Sequence, residues 1–336
     1  MRVLLVKLSS LGDLVHTFPA LTDAVRARPD LEFHWLVEEA FVPIARLHPA
    51  IAGTVPVALR RWRRRPLAHL GDLAALRRRL HAGAFERVLD AQGLVKSAVL
   101  ARFAGVPVTG FDRASAREAV ATAAYGQRIA VPRDLHAVDR LRRLFASAFG
   151  YAVPPGADDF GLARAAGGAD LVFLHGTTWR NKRWPEPFWR SLAERAATAG
   201  REVLLPWGDD DERARAERIA AGLALVRVAP AMPLEALVGT LASARAVVTV
   251  DSGLGHLAGA LGVPTFALYG PTDPARTGCR GARAVNLAAR FACAPCLERR
   301  CGYRGERVLR AGVALEPPCW SALDPDAVWS RLEACL

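Results

Sequence analysis

Short runs of aliphatic and β-branched residues alternate along the chain with longer stretches that repeat every three to four positions. Val3–Val6, Phe33–Val37 and Arg87–Asp90 read as buried strands, and Pro19–Arg28 as an amphipathic helix. In His136–Phe149, residues Val138, Leu141, Leu144, Phe145 and Ala148 fall on one helical face. GYAVPPGADDFGLARAAGGAD (Gly150–Asp170) then replaces periodicity with proline, glycine and alanine, and reads as a linker. A second series follows. Strands are expected at Leu171–Leu174, Val203–Leu205, Ala246–Val250 and Thr265–Leu268. Helices are expected at Pro187–Ala199, Asp209–Ala221, Leu234–Ala244 and Leu254–Leu261. Strands alternating with helices of this length build βαβ units and parallel sheets. The expected fold class is α/β: two doubly wound Rossmann-like domains facing a cleft. The divisions fall at residues 1–155, a linker 156–170, 171–323, and a C-terminal helix 324–336.

Composition supports a packed core, with 51% hydrophobic and 23% charged residues in a chain of 336. Lys7 and Asp13 interrupt any apolar h-region, so the first residues do not read as a signal peptide. Ser252–Gly270 is uncharged and long enough to suggest a membrane span, but its glycines, Pro264 and His256 suit a loop, helix and strand in succession. The protein therefore reads as cytosolic, with its six cysteines reduced. The formal net charge of +12 implies a polyanionic partner: nucleic acid, an anionic membrane or a phosphorylated substrate. Of 45 basic residues only three are lysine, Lys7, Lys96 and Lys182. Each lies inside a motif that stands out on other grounds, and a compact ammonium does not do the work of a guanidinium fork.

Those motifs sit where strands give way to helices, the place at which open α/β sheets hold ligands. VTVDSGLGHLAGALG (Val248–Gly262) spells G-x-G-x-x-A at Gly253, Gly255 and Ala258, and its helix start suits a phosphate. Asp251 or Ser252 caps this helix, and His256 reaches a phosphate or simply packs. In LHGTTWRNKRWPEPFW (Leu174–Trp189), Thr177, Thr178 and Lys182 suit a diphosphate leaving group. Glu212, in LPWGDDDERARAER, accepts from a ribose or sugar hydroxyl, or serves only the helix dipole. VKLSSLGDLVHTFPAL (Val6–Leu21) presents Lys7, Ser10 and Asp13, and Asp13 is a cap, a cofactor ligand or a catalytic base. LRRWRRR gathers Arg60, Arg61 and Arg63 around Trp62, as an anion-binding surface or a solvated face. DAQGLVKSAVL supplies Gln92 and Lys96. Cys293, Cys296, Cys301 and Cys319, spaced C-x₂-C-x₄-C-x₁₇-C, permit a structural zinc, while Cys279 and Cys335 look unpaired.

Taken together with YGPTDP, these stretches resemble, in order, the bacterial lipopolysaccharide heptosyltransferases of glycosyltransferase family nine, over residues 1 to about 275. RRWR and DAQGLVKSA are most similar to the heptosyltransferase I branch, while the cysteine-bearing tail is more like the heptosyltransferase II branch. The resemblance implies a glycosyltransferase B fold, with an acceptor-binding first domain and an ADP-sugar-binding second. It implies inverting transfer of L-glycero-D-manno-heptose from ADP-heptose to a Kdo of Kdo₂-lipid A, with no cofactor and no catalytic metal. Addition of the second heptose is the alternative; an NAD-dependent oxidoreductase and a basic nucleic-acid-binding protein are more remote ones. Residue by residue, Asp13 falls on the base, and Lys182 joins it as a catalytic residue. Thr177, Thr178, Lys182, Glu212, Met232, Asp251, Ser252 (where threonine is usual), Gly253 and His256 fall on the donor site. Lys7, Ser10, Arg60, Arg61, Arg63, Gln92, Lys96, Arg117 and His136 fall on the acceptor side. A monomer at the cytoplasmic face of the inner membrane, in peripheral contact with anionic lipid and without a specific nucleic acid, is the setting implied.

Overall fold

Val3, Leu4, Leu5 and Val6 are all fully buried, as expected of a strand covered on both faces rather than one. The computed structural model describes residues 1–164, 171–310 and 313–336. Two units emerge, Met1–Leu162 and Ala163–Leu336.

In the first unit, β1 (Arg2–Val6), β2 (Glu32–Glu38), β3 (Ile51–Val57), β4 (Arg87–Asp90), β5 (Val108–Phe111) and β6 (Gln127–Ile129) form one parallel sheet. Their order is β3-β2-β1-β4-β5-β6. The helices are α1 (Leu11–Val15), α2 (Phe18–Ala27), α3 (Val42–Ala45), α4 (Leu59–Trp62), α5 (Leu70–Ala82), α6 (Val95–Arg102) and α7 (Ala137–Phe149). One core joins Leu4, Val6 and Val88 of the sheet to Trp62, Leu76 and Leu80 of α4 and α5 and to Ala98 and Ala101 of α6. Elsewhere α2 packs on α7, and Phe33 of β2 meets Phe145 and Phe149 at 5.9 and 5.6 Å between ring centroids. His136 caps α7 by accepting from Val138 N–H, and Gly150, with φ of 72°, ends the helix in the left-handed conformation that glycine adopts freely.

The second unit repeats the plan. Its strands β7 (Leu171–Leu174), β8 (Val203–Leu205), β9 (Val226–Val228), β10 (Ala246–Val250), β11 (Thr265–Tyr269) and β12 (Ala284–Ala288) pair in parallel in the order β12-β11-β10-β7-β8-β9. Numbered from its own first strand, that order is the one found in the first sheet. The helices are α8 (Glu186–Thr198), α9 (Asp210–Ala220), α10 (Leu234–Ser243), α11 (Gly253–Ala260), α12 (Pro274–Thr277) and α13 (Pro325–Glu333). A short hairpin, β13 (Leu309–Arg310) and β14 (Val313–Ala314), precedes the last helix. Trp184 stacks edge-on against Phe188 and Trp189 at 5.4 and 5.1 Å, and its indole N–H donates to Leu323 O at 3.0 Å.

One division falls elsewhere than expected. Residues 156–162 belong to the first unit, because Phe160 is buried and Asp158 pairs with the buried Arg142, which also holds Asp23 of α2 at 2.6 Å. The rest of the expected linker, 165–170, lies outside the described residues. The expected C-terminal helix is present as α13, and its Val328, Trp329 and Leu332 join the core around α8.

α11 lies close against the chain that follows β11. A Cβ on Gly259 would stand 2.5 Å from Cys279 Sγ and 2.7 Å from Arg280 O, the second a backbone atom that cannot swing aside. Gly259→Ala should therefore lower stability by about 1–3 kcal/mol, the usual cost of overpacking. A urea unfolding midpoint equal to that of the unsubstituted protein would show that the contact can relax.

Candidate active site

Each sheet reverses its winding beside its own first strand, between β1 and β4 in one and between β7 and β10 in the other. A crevice opens outside the carboxyl ends of the strands at such a point. Lys7, Ser10, Asp13, Gln92, Thr177, Thr178, Lys182, Asp251 and Ser252 follow these four strands, whereas Arg60, Arg61, Arg63, Arg117, His136, Glu212 and Met232 follow others.

After β1, Lys7 is buried and its ammonium donates to Ala91 O at 2.9 Å, at the end of the neighbouring β4. Burial pulls its pKa down to about 8, against the opposing pull of Asp13. Ser10 is the N-cap residue of α1, and Asp13, in the first turn, accepts from Ser10 N–H at 2.9 Å and from its hydroxyl at 3.2 Å, both through Oδ2. Asp13 is thus no cap of the following long helix; α2 starts separately at Phe18. Its other oxygen, Oδ1, lies 3.8 Å from Arg117 Nη2. Burial pushes the Asp13 carboxyl up, but Lys7, Arg117, the Ser10 N–H and His16 outweigh it and hold the pKa at about 2. One oxygen shapes the turn and the other faces Arg117.

Gln92, after β4, is buried, with its amide spent on the β1 loop. Oε1 accepts from Leu8 N–H and Nε2 donates to Ser9 O, each at 2.9 Å. It therefore positions the Asp13 loop rather than facing solvent. Asp90 holds the same turn through Gln92 N–H, Gly93 N–H, the Ser97 hydroxyl and the Tyr125 hydroxyl. Its burial was legible in the strand pattern, but its partners were not. His136 is buried, with its ring edge-on to His16 at 5.7 Å. Lys96 is exposed on α6. In the arginine cluster, Trp62 is the buried anchor, Arg60 lies over the Phe41 ring at 5.4 Å, Arg61 pairs loosely with Glu39 at 3.6 Å, and Arg63 is exposed.

In the second unit, Asp251 follows β10 and is met by an ammonium and an imidazole. Lys182 Nζ lies 2.6 Å from Oδ2, and His256 Nε2 lies 3.4 Å from Oδ1. Although burial acts the other way, these partners hold the Asp251 carboxyl well below the usual range. Ser252, not Asp251, caps α11, accepting from Gly255 N–H at 3.1 Å while its hydroxyl meets that of Thr249 at 3.0 Å. Gly253 is the first residue of that helix. Thr177 donates to Asp251 O at 3.1 Å, which joins the loop after β7 to the loop after β10. Thr178 lies in the bend that follows. Glu212 fills the space over Gly176, where any Cβ would collide with its carboxylate, and accepts from Gly208 N–H at 2.9 Å. Met232 meets Thr240 instead, with 4.0 Å between its sulfur and the hydroxyl. Trp179 was not foreseen. Lys182 and Arg299 both lie over its ring, at 4.4 and 5.3 Å, so it orders the cations of this loop.

Cys293, Cys296, Cys301 and Cys319 line one cavity of about 10 Å³, and burial together with the other three cysteines pushes the Cys319 thiol up to about 12. Among the described residues, however, no three His, Cys, Asp or Glu side chains are arranged to hold a metal ion. The spacing that permits zinc is thus not matched by a ligand set. Cys293 and Cys301 are exposed while Cys319 is buried, and all six cysteines are free.

Residues 73–305 match the model of glycosyltransferase family 9 (heptosyltransferase). The chain is 49% identical to lipopolysaccharide heptosyltransferase 1 of Pseudomonas aeruginosa, covering 100% of this chain and 98% of that one. It superposes on E. coli heptosyltransferase WaaC with ADP at a TM-score of 0.85 and 39% identity, with both chains fully covered. With ADP-2-deoxy-2-fluoro heptose bound to WaaC the TM-score is 0.82 at 38% identity, again with full coverage of both. Lipooligosaccharide heptosyltransferase 2 of Haemophilus influenzae is 39% identical over only 29% of each chain.

The Asp251 cluster makes a stability prediction. Asp251 is 7% exposed, and Asp251→Asn leaves Lys182 and His256 without their anion, at a cost of about 3 kcal/mol at pH 7. Because the folded-state pKa is depressed, the contribution is fully present above about pH 4, the unfolded carboxylate value, and is lost as pH falls below it. Denaturant titrations at pH 7 and pH 3 should show the gap between the two proteins narrowing; a gap that is constant with pH would refute the pairing.

Proposed function

Since the chain belongs to glycosyltransferase family 9, the heptosyltransferases, we propose that it transfers L-glycero-D-manno-heptose from ADP-heptose to a Kdo residue of Kdo₂-lipid A, the first heptose of the lipopolysaccharide inner core. Full-length likeness to heptosyltransferase 1, against a partial one to heptosyltransferase 2, supports the first heptose over the second. The family also sets aside the dehydrogenase and nucleic-acid readings, which rest on a glycine pattern and on charge alone. The observation that carries the chemistry is the division of labour within Asp13: Oδ2 is held by Ser10, and Oδ1 is open toward Arg117.

In this scheme the acceptor hydroxyl gives its proton to Asp13 as its oxygen attacks the anomeric carbon. The bond from that carbon to the β-phosphate oxygen breaks, its electron pair leaves with ADP, and the configuration inverts. Lys182, Thr177, Thr178 and the start of α11 meet the charge that develops on the diphosphate. Glu212, Met232 and His256 complete the donor side. Asp13 is ionised throughout the physiological range, but a carboxylate held at about 2 is a weak base. Arg117 turning from Asp13 toward an anionic group of the acceptor raises that basicity as the acceptor binds. Lys7, Ser10 and Gln92 hold the loop in place. Arg60, Arg61, Arg63, Lys96 and His136 are assigned to the acceptor. The scheme gives the counter-charge to Lys182 and calls for no divalent metal or cofactor.

The proposed setting is a monomer held peripherally at the cytoplasmic face of the inner membrane. Among the described residues no helix is long and apolar enough to cross a membrane.

ADP release from ADP-heptose should require Kdo₂-lipid A, persist in EDTA, and be absent with the monoheptosylated acceptor. Turnover on the second acceptor alone would move the enzyme one step along the core. Asp13→Asn keeps an oxygen for Ser10 but cannot take a proton. It should cost at least about 100-fold in kcat, within the usual range for general-base loss, with ADP affinity changed less than about threefold. Lost ADP binding or lost folding would return Asp13 to a structural role.

A further inference from the structure

α6 turns Ser97, Ala98, Leu100 and Ala101 inward and leaves another side bare. Val95 and Val99, four residues apart and so on one side of the helix, are 42% and 50% exposed. The 3₁₀ turn Ala119–Ala124 packs on α6 and carries Val120, 73% exposed. The two elements are tied at their starts, where Glu118 accepts from Val95 N–H at 2.7 Å and donates its own N–H to Gly93 O at 3.0 Å. β-branched residues are indifferent helix formers, so local propensity does not account for valine at the exposed positions of α6. One exposed apolar side chain is ordinary; three on adjoining elements mark a contact surface.

The surroundings are basic. Lys96 and Arg102 are exposed on α6, and Arg117 is exposed just before the 3₁₀ turn. Glu118 is the acidic neighbour, and its carboxylate is engaged by the start of α6. An apolar centre with a cationic rim, on a chain of net charge +12, is complementary to an anionic bilayer.

We propose that the surface formed by α6 and the Ala119–Ala124 turn docks the protein on a bilayer of anionic phospholipid. Val95, Val99 and Val120 enter the headgroup region, and Arg102 meets lipid phosphates. This rests on the function proposed above and extends it. A lipid-anchored acceptor offers its sugar only at the bilayer surface, so the docking face must adjoin the residues that meet the sugar. It does: Arg117, which faces Asp13, precedes Val120 by three residues.

The test compares the unsubstituted protein with the triple variant Val95→Ser, Val99→Ser, Val120→Ser, and with Val120→Asp alone as a second variant at the most exposed position. Co-sedimentation with vesicles of phosphatidylglycerol and phosphatidylcholine, and with phosphatidylcholine alone, reads docking directly. The unsubstituted protein should partition onto the anionic vesicles, and the triple variant at least about tenfold less. Turnover of vesicle-borne acceptor should fall in step, while turnover of a de-acylated acceptor in solution stays unchanged. Equal vesicle binding by both variants and the parent would overturn the proposal, as would equal binding to neutral and anionic vesicles. A parent that is dimeric in solution and a variant that is monomeric, with vesicle binding unchanged, would give the valines to a second copy of the chain. Failure on the de-acylated acceptor would fall on the proposed function, and sedimentation would still decide the docking surface.

Discussion

A parallel sheet that reverses its winding leaves a gap at the carboxyl end of its first strand, and this chain places an ionised carboxylate near that gap in each of its two sheets. Everything else in the site follows from having to neutralise those two charges in partly buried surroundings. Asp13 is met by Lys7, Arg117 and the Ser10 N–H; Asp251 is met by Lys182 and His256. Two of the chain's three lysines therefore serve as counter-ions near a switch point. A compact ammonium fits there. Lys7 reaches Ala91 O and stays buried, while Lys182 fits between Asp251 and the face of Trp179. A guanidinium fork, planar and wider, would not occupy either place without displacing its neighbours. The bias toward arginine elsewhere makes these positions conspicuous.

The same constraint explains why so much of the site is legible in the sequence. Strands β4, β7, β8 and β10 fall on the expected residues because each lies inside a sheet and carries consecutive aliphatic residues. β3, β6, β9 and β12, by contrast, went unread. β3, β6, β9 and β12 are edge strands or border the weakly apolar segments that form the rims, where glycine, proline and polar residues replace continuous burial. β5 is buried throughout, but Thr109 and Gly110 leave it no consecutive aliphatic residues to read. Propensity and periodicity speak where both faces are covered and fall silent where one is not.

Individual side chains divide along a different line. Residue type and position at a strand-to-helix junction were enough to single out Asp13, Lys182 and Asp251, but not to say which of two jobs each performs. Asp13 was open between cap, cofactor ligand and base; in the structure Oδ2 accepts from Ser10 and Oδ1 lies 3.8 Å from Arg117. Ser252 and Asp251 were rival caps, and hydrogen bonding assigns the cap to Ser252 alone. Gln92 has the right neighbourhood and the wrong exposure for contact with a ligand, a distinction that only burial reveals. The cysteines show the limit of spacing arguments. Four of them reach one cavity, yet sharing a cavity is a weaker condition than presenting sulfurs at bonding distance around a common point.

A carboxylate held at about 2 is also the feature that links binding to chemistry. Basicity and ionisation pull against each other. Cations that guarantee the charged form of Asp13 also make it reluctant to accept a proton. A fixed set of cations would leave a weak base whatever was bound. Lys7 is fixed, being buried and hydrogen-bonded, but Arg117 is more than half exposed and stands off at 3.8 Å, too far for a hydrogen bond and free to be drawn elsewhere. An acceptor that carries its own negative charge competes for that guanidinium, whereas a neutral sugar or water does not. Under the proposed scheme the base is strongest when the anionic acceptor is in place, which would favour transfer over hydrolysis of the donor without a separate gate. On this argument the arginine matters less for the affinity it adds than for the charge it removes from Asp13 when it leaves.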